Sequence, residues 1–172
     1  RTKVENISLP RYLIGTNWIG GWSHRTRCAD QFIKNYHSET THIRAMLKTY
    51  LEYGIDAVMA PFGSVPTLVQ GIREVEEETG HKFILIDTPT INVEDSAEGR
   101  AEAKRKLTES ASLGAQICLI HHSSCEKLID KNARKLRRLD DYTSMIRDLG
   151  MVPGLSCHYP ECVVYADLKQ FV

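Results

Sequence analysis

Side chains of the types that bind metals or move protons follow three short apolar runs of this sequence. Asp87 ends one run, His121 and His122 end the next, and His158 lies just beyond a third. Imidazole nitrogens and carboxylate oxygens are common ligands of divalent cations, and histidine also exchanges protons near neutral pH. A cation held by such groups polarises a carbonyl group or activates water. These residues therefore predict metal-assisted or acid/base chemistry, provided that the fold brings the three runs together.

The apolar runs alternate with amphipathic stretches, as strands alternate with helices in β/α proteins. Nearly continuous hydrophobicity within the runs indicates strands that are covered on both faces, which is typical of a parallel sheet. The predicted strands are 12–17, 55–59, 83–87, 116–121 and 151–156. The predicted helices are 29–36, 41–53, 65–79, a helix from Asp95 or Ser96 to 113, and 130–149.

A glycine stands at each predicted return from a helix to a strand, at Gly54, Gly80, Gly114 and Gly150. Glycine readily adopts the left-handed conformation that ends a helix and redirects the chain. The regular recurrence of these glycines predicts repeated strand and helix units.

Five such units predict an α/β protein with a parallel sheet, and we expect residues 1–172 to form one domain. The favoured interpretation is an N-terminal excerpt of a longer chain, namely the first five units of a TIM barrel, which needs ~250 residues. An open, doubly wound five-stranded sheet is the alternative. The barrel is favoured because the loop 15–21 lacks the G-x-G-x-x-G phosphate fingerprint and a further helix begins near the C-terminus. A five-unit fragment leaves the edges of its sheet uncovered. We therefore also expect that the chain can form a homo-oligomer.

In either architecture the chemistry belongs at the carboxyl ends of the strands. Alternation along the fifth strand places Ser156 and His158 on the same face, and we expect His121 rather than His122 to face inward from the fourth. Because neighbouring strands lie ~4.8 Å apart, His121 and His158 can converge, and Asp87 can join them from the third strand. We therefore predict His121, His158 and Asp87 both as catalytic groups and as metal ligands.

A divalent metal ion is the favoured cofactor, and Asn17 and Ser156, at the ends of the first and fifth strands, are candidates to contact a cofactor. The 22 Lys and Arg residues balance the 22 Asp and Glu residues. A net charge of zero predicts no nucleic-acid partner. The partner expected from the barrel interpretation is a small-molecule substrate. No apolar run approaches the ~20 residues that span a bilayer, so no membrane partner is predicted. Five cysteines without a Cys-x-x-Cys pair favour a cytoplasmic protein.

Two stretches resemble the aldo/keto reductases. Gly154-Leu-Ser-Cys-His-Tyr-Pro-Glu161 resembles the turn after strand five of those barrels, and Leu119-Ile-His-His122 resembles the end of strand four, where that family keeps a catalytic histidine. The resemblance implies a TIM barrel and nicotinamide-dependent oxidoreduction. The stretch 59–63 supplies neither the Asp nor the Tyr of that family, and the Asp87 region replaces its Lys. Nicotinamide is therefore the less favoured cofactor.

A looser resemblance links residues 103–121 to xylose-isomerase-like barrels, which hold divalent metals with carboxylates and histidines at strand ends. The leading hypothesis is a TIM-barrel enzyme that acts on a small polar molecule through metal-assisted isomerase, lyase or hydrolase chemistry. One alternative is an aldo/keto-reductase-like oxidoreductase with a degenerate catalytic set. The other is a non-catalytic barrel that binds a ligand or serves as a structural scaffold.

Overall fold

The structure is a computed structural model that describes residues 1–167. The chain divides into two compact units, the first spanning Arg1–Ile86 and the second beginning at Asp87. Across the described residues, every helix is too short or too polar to cross a lipid bilayer.

The first unit opens with an antiparallel hairpin and continues with alternating strands and helices. The hairpin consists of β1 (Thr2–Val4) and β2 (Ile7–Leu9). The elements that follow are β3 (Ile14–Gly15), α1 (Asn17–Gly20), α2 (Arg27–Tyr36), α3 (Thr40–Glu52), β4 (Ala57–Ala60), a 3-10 turn (Phe62–Ser64), α4 (Pro66–Thr79) and β5 (Ile84–Asp87). β3 and β4 pair in parallel, with Ile14 opposite Val58.

Close packing of α3 against α4 forms much of the core of the first unit. Ile43 and Leu47 of α3 are fully buried, as are Leu68 and Ile72 of α4. A Cβ atom at Gly71 would lie 2.9 Å from Cγ2 of Ile43, so the absence of a side chain there permits the close approach of the two helices.

The second unit has the same alternating pattern, with a small hairpin inserted before its second long helix. Its elements are α5 (Ala97–Ser112), β6 (Ile117–Ile120), α6 (His122–Cys125), a 3-10 turn (Glu126–Leu128), β7 (Ile129–Asp130), β8 (Lys135–Leu136), α7 (Leu139–Asp148), β9 (Val152–Leu155) and α8 (Pro160–Asp167). β6 and β9 pair in parallel, and β7 and β8 pair antiparallel. Leu107 of α5 and both Tyr142 and Ile146 of α7 are buried in the core of this unit.

The parallel sheet has five strands in the order β3-β4-β5-β6-β9, which confirms the α/β fold class. Three of the four residues in β4, and likewise in β6, are buried, as expected for strands covered on both faces. The sheet is open, because β3 and β9 are its edge strands within residues 1–167.

The four predicted turn glycines all have positive φ angles, of 70° at Gly54 and Gly80, 86° at Gly114 and 80° at Gly150. This conformation confirms that each one turns the chain from a helix back towards the sheet. Of the two predicted starts of this helix, Asp95 and Ser96, it is Ser96 that forms the N-cap of α5, and its side chain accepts a hydrogen bond from the backbone N–H of Gly99.

The predicted helix 130–149 is wrong over its first nine residues, because α7 begins only at Leu139. The preceding segment forms the β7–β8 hairpin, in which the Asp130 carboxylate accepts the N–H of Ala133 at 2.9 Å. Arg134 and Arg138 have φ angles of 48° and 55°, and a right-handed helix does not pass through such residues. The asparagine and basic residues of this segment therefore form a turn rather than a helical face.

Candidate functional site

The carboxyl ends of β6 and β9 lie side by side in the second unit. Ile120 stands opposite Leu155, and the N–H of Ser156 donates to the Ile120 carbonyl at 3.0 Å. Since parallel strands in register end at the same edge of a sheet, the residues after these two strands start from adjacent positions. The expectation that the fourth and fifth strands of the parallel sheet are neighbours is confirmed.

His121 follows β6 directly and forms the N-cap of α6. Its Nδ1 accepts a hydrogen bond from the backbone N–H of Ser123 at 3.4 Å and lies 2.8 Å from the Ser123 hydroxyl. In the neutral ring, acceptance at Nδ1 leaves the proton on Nε2. Burial lowers the pKa of His121, and His122 and His158 lower it further through charge repulsion. Although Glu126 raises this pKa, the net shift favours the neutral imidazole, which presents Nε2–H when Nδ1 accepts.

His122, Glu126 and His158 form a group with metal-ligand spacing. One ligand atom from each lies within 4.8 Å of the other two. Nδ1 of His122 is 4.0 Å from Oε2 of Glu126, and Nδ1 of His158 is 3.5 Å from Oε1 of the same carboxylate. The two imidazole rings lie 4.2 Å apart between centroids. Histidine nitrogens and a glutamate oxygen thus converge from α6, from the residue that follows it and from the turn after β9.

Glu126 is held in place by the turn that carries His158. Its Oε1 accepts the backbone N–H of His158 at 2.6 Å, which leaves Oε2 directed at His122. Metal-binding carboxylates are commonly fixed by such an additional hydrogen bond. Glu126 is mostly buried whereas the His158 side chain is 70% exposed, so the group opens to solvent on the His158 side.

Ligand atoms of a tetrahedral zinc site lie about 3.4 Å apart, given metal–nitrogen bonds of about 2.1 Å. Nδ1 of His158 lies 3.5 Å from Oε1 of Glu126, and Nδ1 of His122 lies 4.0 Å from the other oxygen, Oε2. The ligand atoms lie within 4.8 Å of one another, so tetrahedral coordination requires them to move closer together.

The structure brings His158 together with His122 more directly than with His121. The His121 ring packs against His122, with 4.1 Å between centroids, and His122 in turn packs against His158. The three imidazoles form a contiguous row, in which His122 occupies the centre. Among the described residues, the group with metal-ligand spacing includes the predicted His158 but neither His121 nor Asp87.

Asp87, the third predicted ligand, ends β5 and is 3% exposed. Its carboxylate accepts the backbone N–H of Thr88 at 2.9 Å and the hydroxyl of Ser110. Burial raises the pKa of the adjacent Cys118 thiol to about 12, and the negative charge of Asp87 adds to this effect. These contacts give Asp87 a role as a buried hydrogen-bond acceptor that links β5 to α5.

The two residues predicted to contact a cofactor lie in different units. Asn17 is exposed at the start of α1 in the first unit, where its Nδ2 lies 3.2 Å from Nε2 of His24. Ser156 belongs to the second unit, and its carbonyl accepts the thiol of Cys125 at 3.3 Å. Ser156 thus lies beside the histidine row, at the base of the turn that carries His158.

Sequence reasoning assigned no role to Glu126 and expected His122 to lie outside the site. A signal for both was present, because residues four apart share one face of a helix and His122 and Glu126 have that spacing. The apolar run that ends at His121 predicts a strand end here, and a strand pattern does not reveal helical spacing in the residues that follow. The structure shows α6 followed by a 3-10 turn in this place.

No protein-family model matches the chain, and the search of curated proteins returned no match.

Proposed function

We propose that His122, Glu126 and His158 bind one divalent cation of the zinc type and that the chain is a metal-assisted hydrolase of small polar molecules. The observation that carries this proposal is the convergence of two imidazoles and one carboxylate, with ligand atoms within 4.8 Å of one another. With both imidazoles neutral, the group has a formal charge of −1 and attracts a cation. Two histidines and one glutamate are the protein ligands of several catalytic zinc sites.

Three protein ligands leave a coordination position open for water or substrate, which is the feature that distinguishes catalytic from structural zinc sites. A bound cation lowers the pKa of water towards neutrality and polarises a carbonyl or phosphoryl oxygen. The exposed side of the group at His158 gives water and a small substrate access to this position. Hydrolysis is therefore favoured over the isomerase and lyase reactions that the same cation could assist.

His121 is proposed as the proton-transferring group of this site. Its ring lies 4.1 Å from that of His122, and its Nδ1 is occupied by contacts with Ser123. Nε2 is consequently the nitrogen that can exchange a proton with a substrate or with water. Asp87, whose carboxylate bonds to Ser110 and to the Thr88 N–H, is assigned a structural role.

Metal binding is tested by titrating the full chain, freed of metal with a chelator, with Zn²⁺ in a calorimeter and by measuring bound metal after dialysis. We expect one ion per chain and a loss of affinity of at least about tenfold in His122→Ala, Glu126→Gln and His158→Ala. Glu126→Gln is the sharpest variant, because it keeps an oxygen acceptor for the His158 N–H and removes only the charge. His42→Ala, in the first unit, is the matched control and should leave zinc binding unchanged.

Two further variants separate this ligand set from the set predicted from sequence. Asp87→Asn and His121→Ala should retain zinc binding, whereas His121→Ala should reduce turnover of chromogenic ester or phosphoester substrates. If Asp87→Asn abolishes zinc binding and Glu126→Gln does not, the proposed ligand set is wrong. A chain that binds zinc tightly but turns over none of these substrates would contradict the hydrolase assignment and favour a binding protein.

The TIM-barrel interpretation is retained as part of the proposal. The parallel strands follow one another in chain order, without the reversal that marks the ligand-binding crevice of a doubly wound sheet. This order supports barrel-type winding and the suggested likeness to aldo/keto reductases and xylose-isomerase-like barrels. The nicotinamide-dependent alternative has weaker support, because the stretch 59–63 supplies neither the Asp nor the Tyr of the aldo/keto reductases and the Asp87 region replaces their Lys.

A further inference from the structure

A cavity in the second unit is lined by residues outside the histidine row and the proposed cation site. Its volume is about 600 Å³, which is within the usual range for a small-molecule site. Residues 91–95, in the loop after β5, form one wall, and Lys127, Leu128, Arg137 and Arg138 form the rest. The cavity is therefore a candidate for a second binding site.

Hydrogen bonds hold the walls of this cavity in place. Oδ1 of Asn92 accepts the backbone N–H of Glu94 at 2.9 Å, and Nδ2 of Asn92 donates to Glu102 of α5, also at 2.9 Å. In the other wall, the backbone N–H of Arg137 donates to the Leu128 carbonyl at 2.8 Å. Binding therefore does not have to order these segments, which lowers its entropic cost.

Arg138 connects the two walls. Its guanidinium group donates to the Asp95 carboxylate, to the Glu94 carbonyl at 3.2 Å and to the Tyr142 hydroxyl. Its φ angle is 55°, a conformation that a residue other than glycine keeps only where the surrounding structure imposes it. Its Nε–H is buried and has no hydrogen-bond partner among the described residues. Such an unpaired donor indicates that the wall lacks an acceptor, which a ligand or water can supply.

The charge of the cavity favours an anion. Within residues 1–167, Lys127 and Arg137 lie in no ion pair, and the Arg137 side chain donates only to the Lys127 carbonyl, at 3.3 Å. The Asp95 carboxylate is paired with Arg138, so Glu94 is the acidic residue of the lining that offsets one of these two cations. With three basic and two acidic residues in its lining, the cavity has a formal charge of +1.

We propose that this cavity binds a small organic anion that carries one carboxylate or phosphate group on an apolar body. The guanidinium group of Arg137 has paired N–H donors that match the oxygens of either group, and Lys127 adds a second positive charge. Ile91, Val93 and Leu128 provide apolar surface for the rest of the ligand. This site does not depend on the proposed hydrolase function.

Binding is tested by NMR titration of the isotope-labelled full chain, freed of metal and of chelator, at about pH 8. Imidazoles are neutral at that pH, so the histidine row does not attract anions. The probes are phenyl phosphate, phenylacetate, inorganic phosphate and the neutral benzyl alcohol. We expect phenyl phosphate or phenylacetate to shift the amide resonances of residues 91–95, 126–128 and 137–138, with a Kd of about 1 mM or lower. Whichever of these two binds more tightly identifies the anionic group that the cavity prefers.

Two variants test the cations, and a third serves as the matched control. Arg137→Gln should weaken binding of the tighter probe at least about tenfold, and Lys127→Gln at least about threefold. Both side chains are exposed, so these variants should fold, as circular dichroism will check. Lys135→Gln removes the same charge from an exposed position of β8 outside the cavity lining and should change the affinity less than about twofold.

Several outcomes would overturn the proposal. Neither organic anion shifts the resonances of the cavity, or the shifts are confined to the histidine row. Benzyl alcohol binds as tightly as the organic anions, which would show that the charge is not recognised. Inorganic phosphate binds as tightly as the better organic anion, which would show that the apolar surface contributes nothing. Arg137→Gln and Lys135→Gln weaken binding equally, which would indicate general electrostatic attraction rather than a site.

Discussion

The buried carboxylate of Glu76 is expected to contribute to the stability of the first unit, and substitution of this one side chain tests how much. Its carboxylate lies on α4 with only 2% of the side chain exposed. Oε1 accepts the backbone N–H of Phe83 at 3.0 Å, and Oε2 lies 2.9 Å from Nη1 of Arg73 and 3.1 Å from Nζ of Lys82. The Arg73 and Lys82 side chains are 47% and 76% exposed, so water can replace the carboxylate for them. The buried N–H of Phe83 has no such substitute, and it should dominate the cost of removing Glu76.

Two substitutions at this position separate the charge from the acceptor. Glu76→Gln keeps an oxygen for the Phe83 N–H and loses the ionic component, so unfolding free energy should fall by about 1 kcal/mol. Glu76→Leu leaves the buried N–H without a partner and should cost about 2 to 3 kcal/mol. Glu77→Gln, on the exposed side of the same helix, should change stability by less than about 0.5 kcal/mol. Urea denaturation of the full chain, followed by circular dichroism, measures all three.

The pH dependence gives a second test of the same reasoning. Burial raises the pKa of Glu76, but the hydrogen bonds from Phe83, Arg73 and Lys82 outweigh it, and the net pKa lies below the ordinary value of 4.5. The carboxylate therefore stabilises the fold above the unfolded-state pKa, and this contribution is lost as pH falls through the lower folded-state pKa. The stability difference between wild type and Glu76→Gln should shrink over that acidic range. If Glu76→Leu is as stable as wild type, or if the difference grows on acidification, the account of this carboxylate is wrong.

Three further perturbations test the packing of the described residues. Ser110→Ala removes the hydroxyl that donates to the buried Asp87 carboxylate. The free energy of unfolding, measured by urea denaturation, should fall by about 1.5 to 3 kcal/mol. An unchanged free energy of unfolding would show that this hydrogen bond does not stabilise the fold. Gly99→Ala places a Cβ 2.7 Å from a backbone carbonyl oxygen and should destabilise by about 1 to 3 kcal/mol, whereas Gly63→Ala, with open space around it, should not. The pKa of Cys118 is raised from 9.0 to about 12, so the unfolded chain ionises first on the alkaline side and stability should fall as pH rises above 9. Cys118→Ala should flatten this alkaline decline in pH-dependent unfolding measurements, and an unchanged slope would contradict it.

Local sequence determined the repeating architecture of this protein. Apolar runs of four to six residues specify buried strands, because both faces of such a strand must be apolar. The four turn glycines specify helix ends, because glycine adopts a positive φ angle at no steric cost. The start of α5 was predictable to within Asp95 or Ser96, since a side-chain oxygen of either residue type can accept a free N–H of the first helical turn, and the structure has Ser96 as the cap. Each of these features depends on residues within a few positions of one another along the chain.

Other elements depended on contacts or backbone conformations that composition does not reveal. The segment before α7 has the charged, helix-compatible composition of an exposed helical face, yet the positive φ angles at Arg134 and Arg138 make it a hairpin. The predicted helix 65–79 begins one residue later, at Pro66, because a 3-10 turn precedes it and Val65 forms the N-cap. Both differences arise where the chain leaves the regular period that sequence patterns detect.

The location of the candidate site was predictable from the sequence, whereas its exact residues were not. Sequence indicated the ends of β6 and β9 as the place for chemistry, because parallel strands present their carboxyl ends at one edge. Which histidine meets His158 was decided by the backbone after β6, where the chain enters α6 immediately and turns His122 towards Glu126. Asp87 has the residue type of a ligand, but its role depends on the Ser110 hydroxyl of α5, 23 residues away. Residue types and strand periodicity are local properties, whereas the direction of each side chain and the partner it meets are set by tertiary packing.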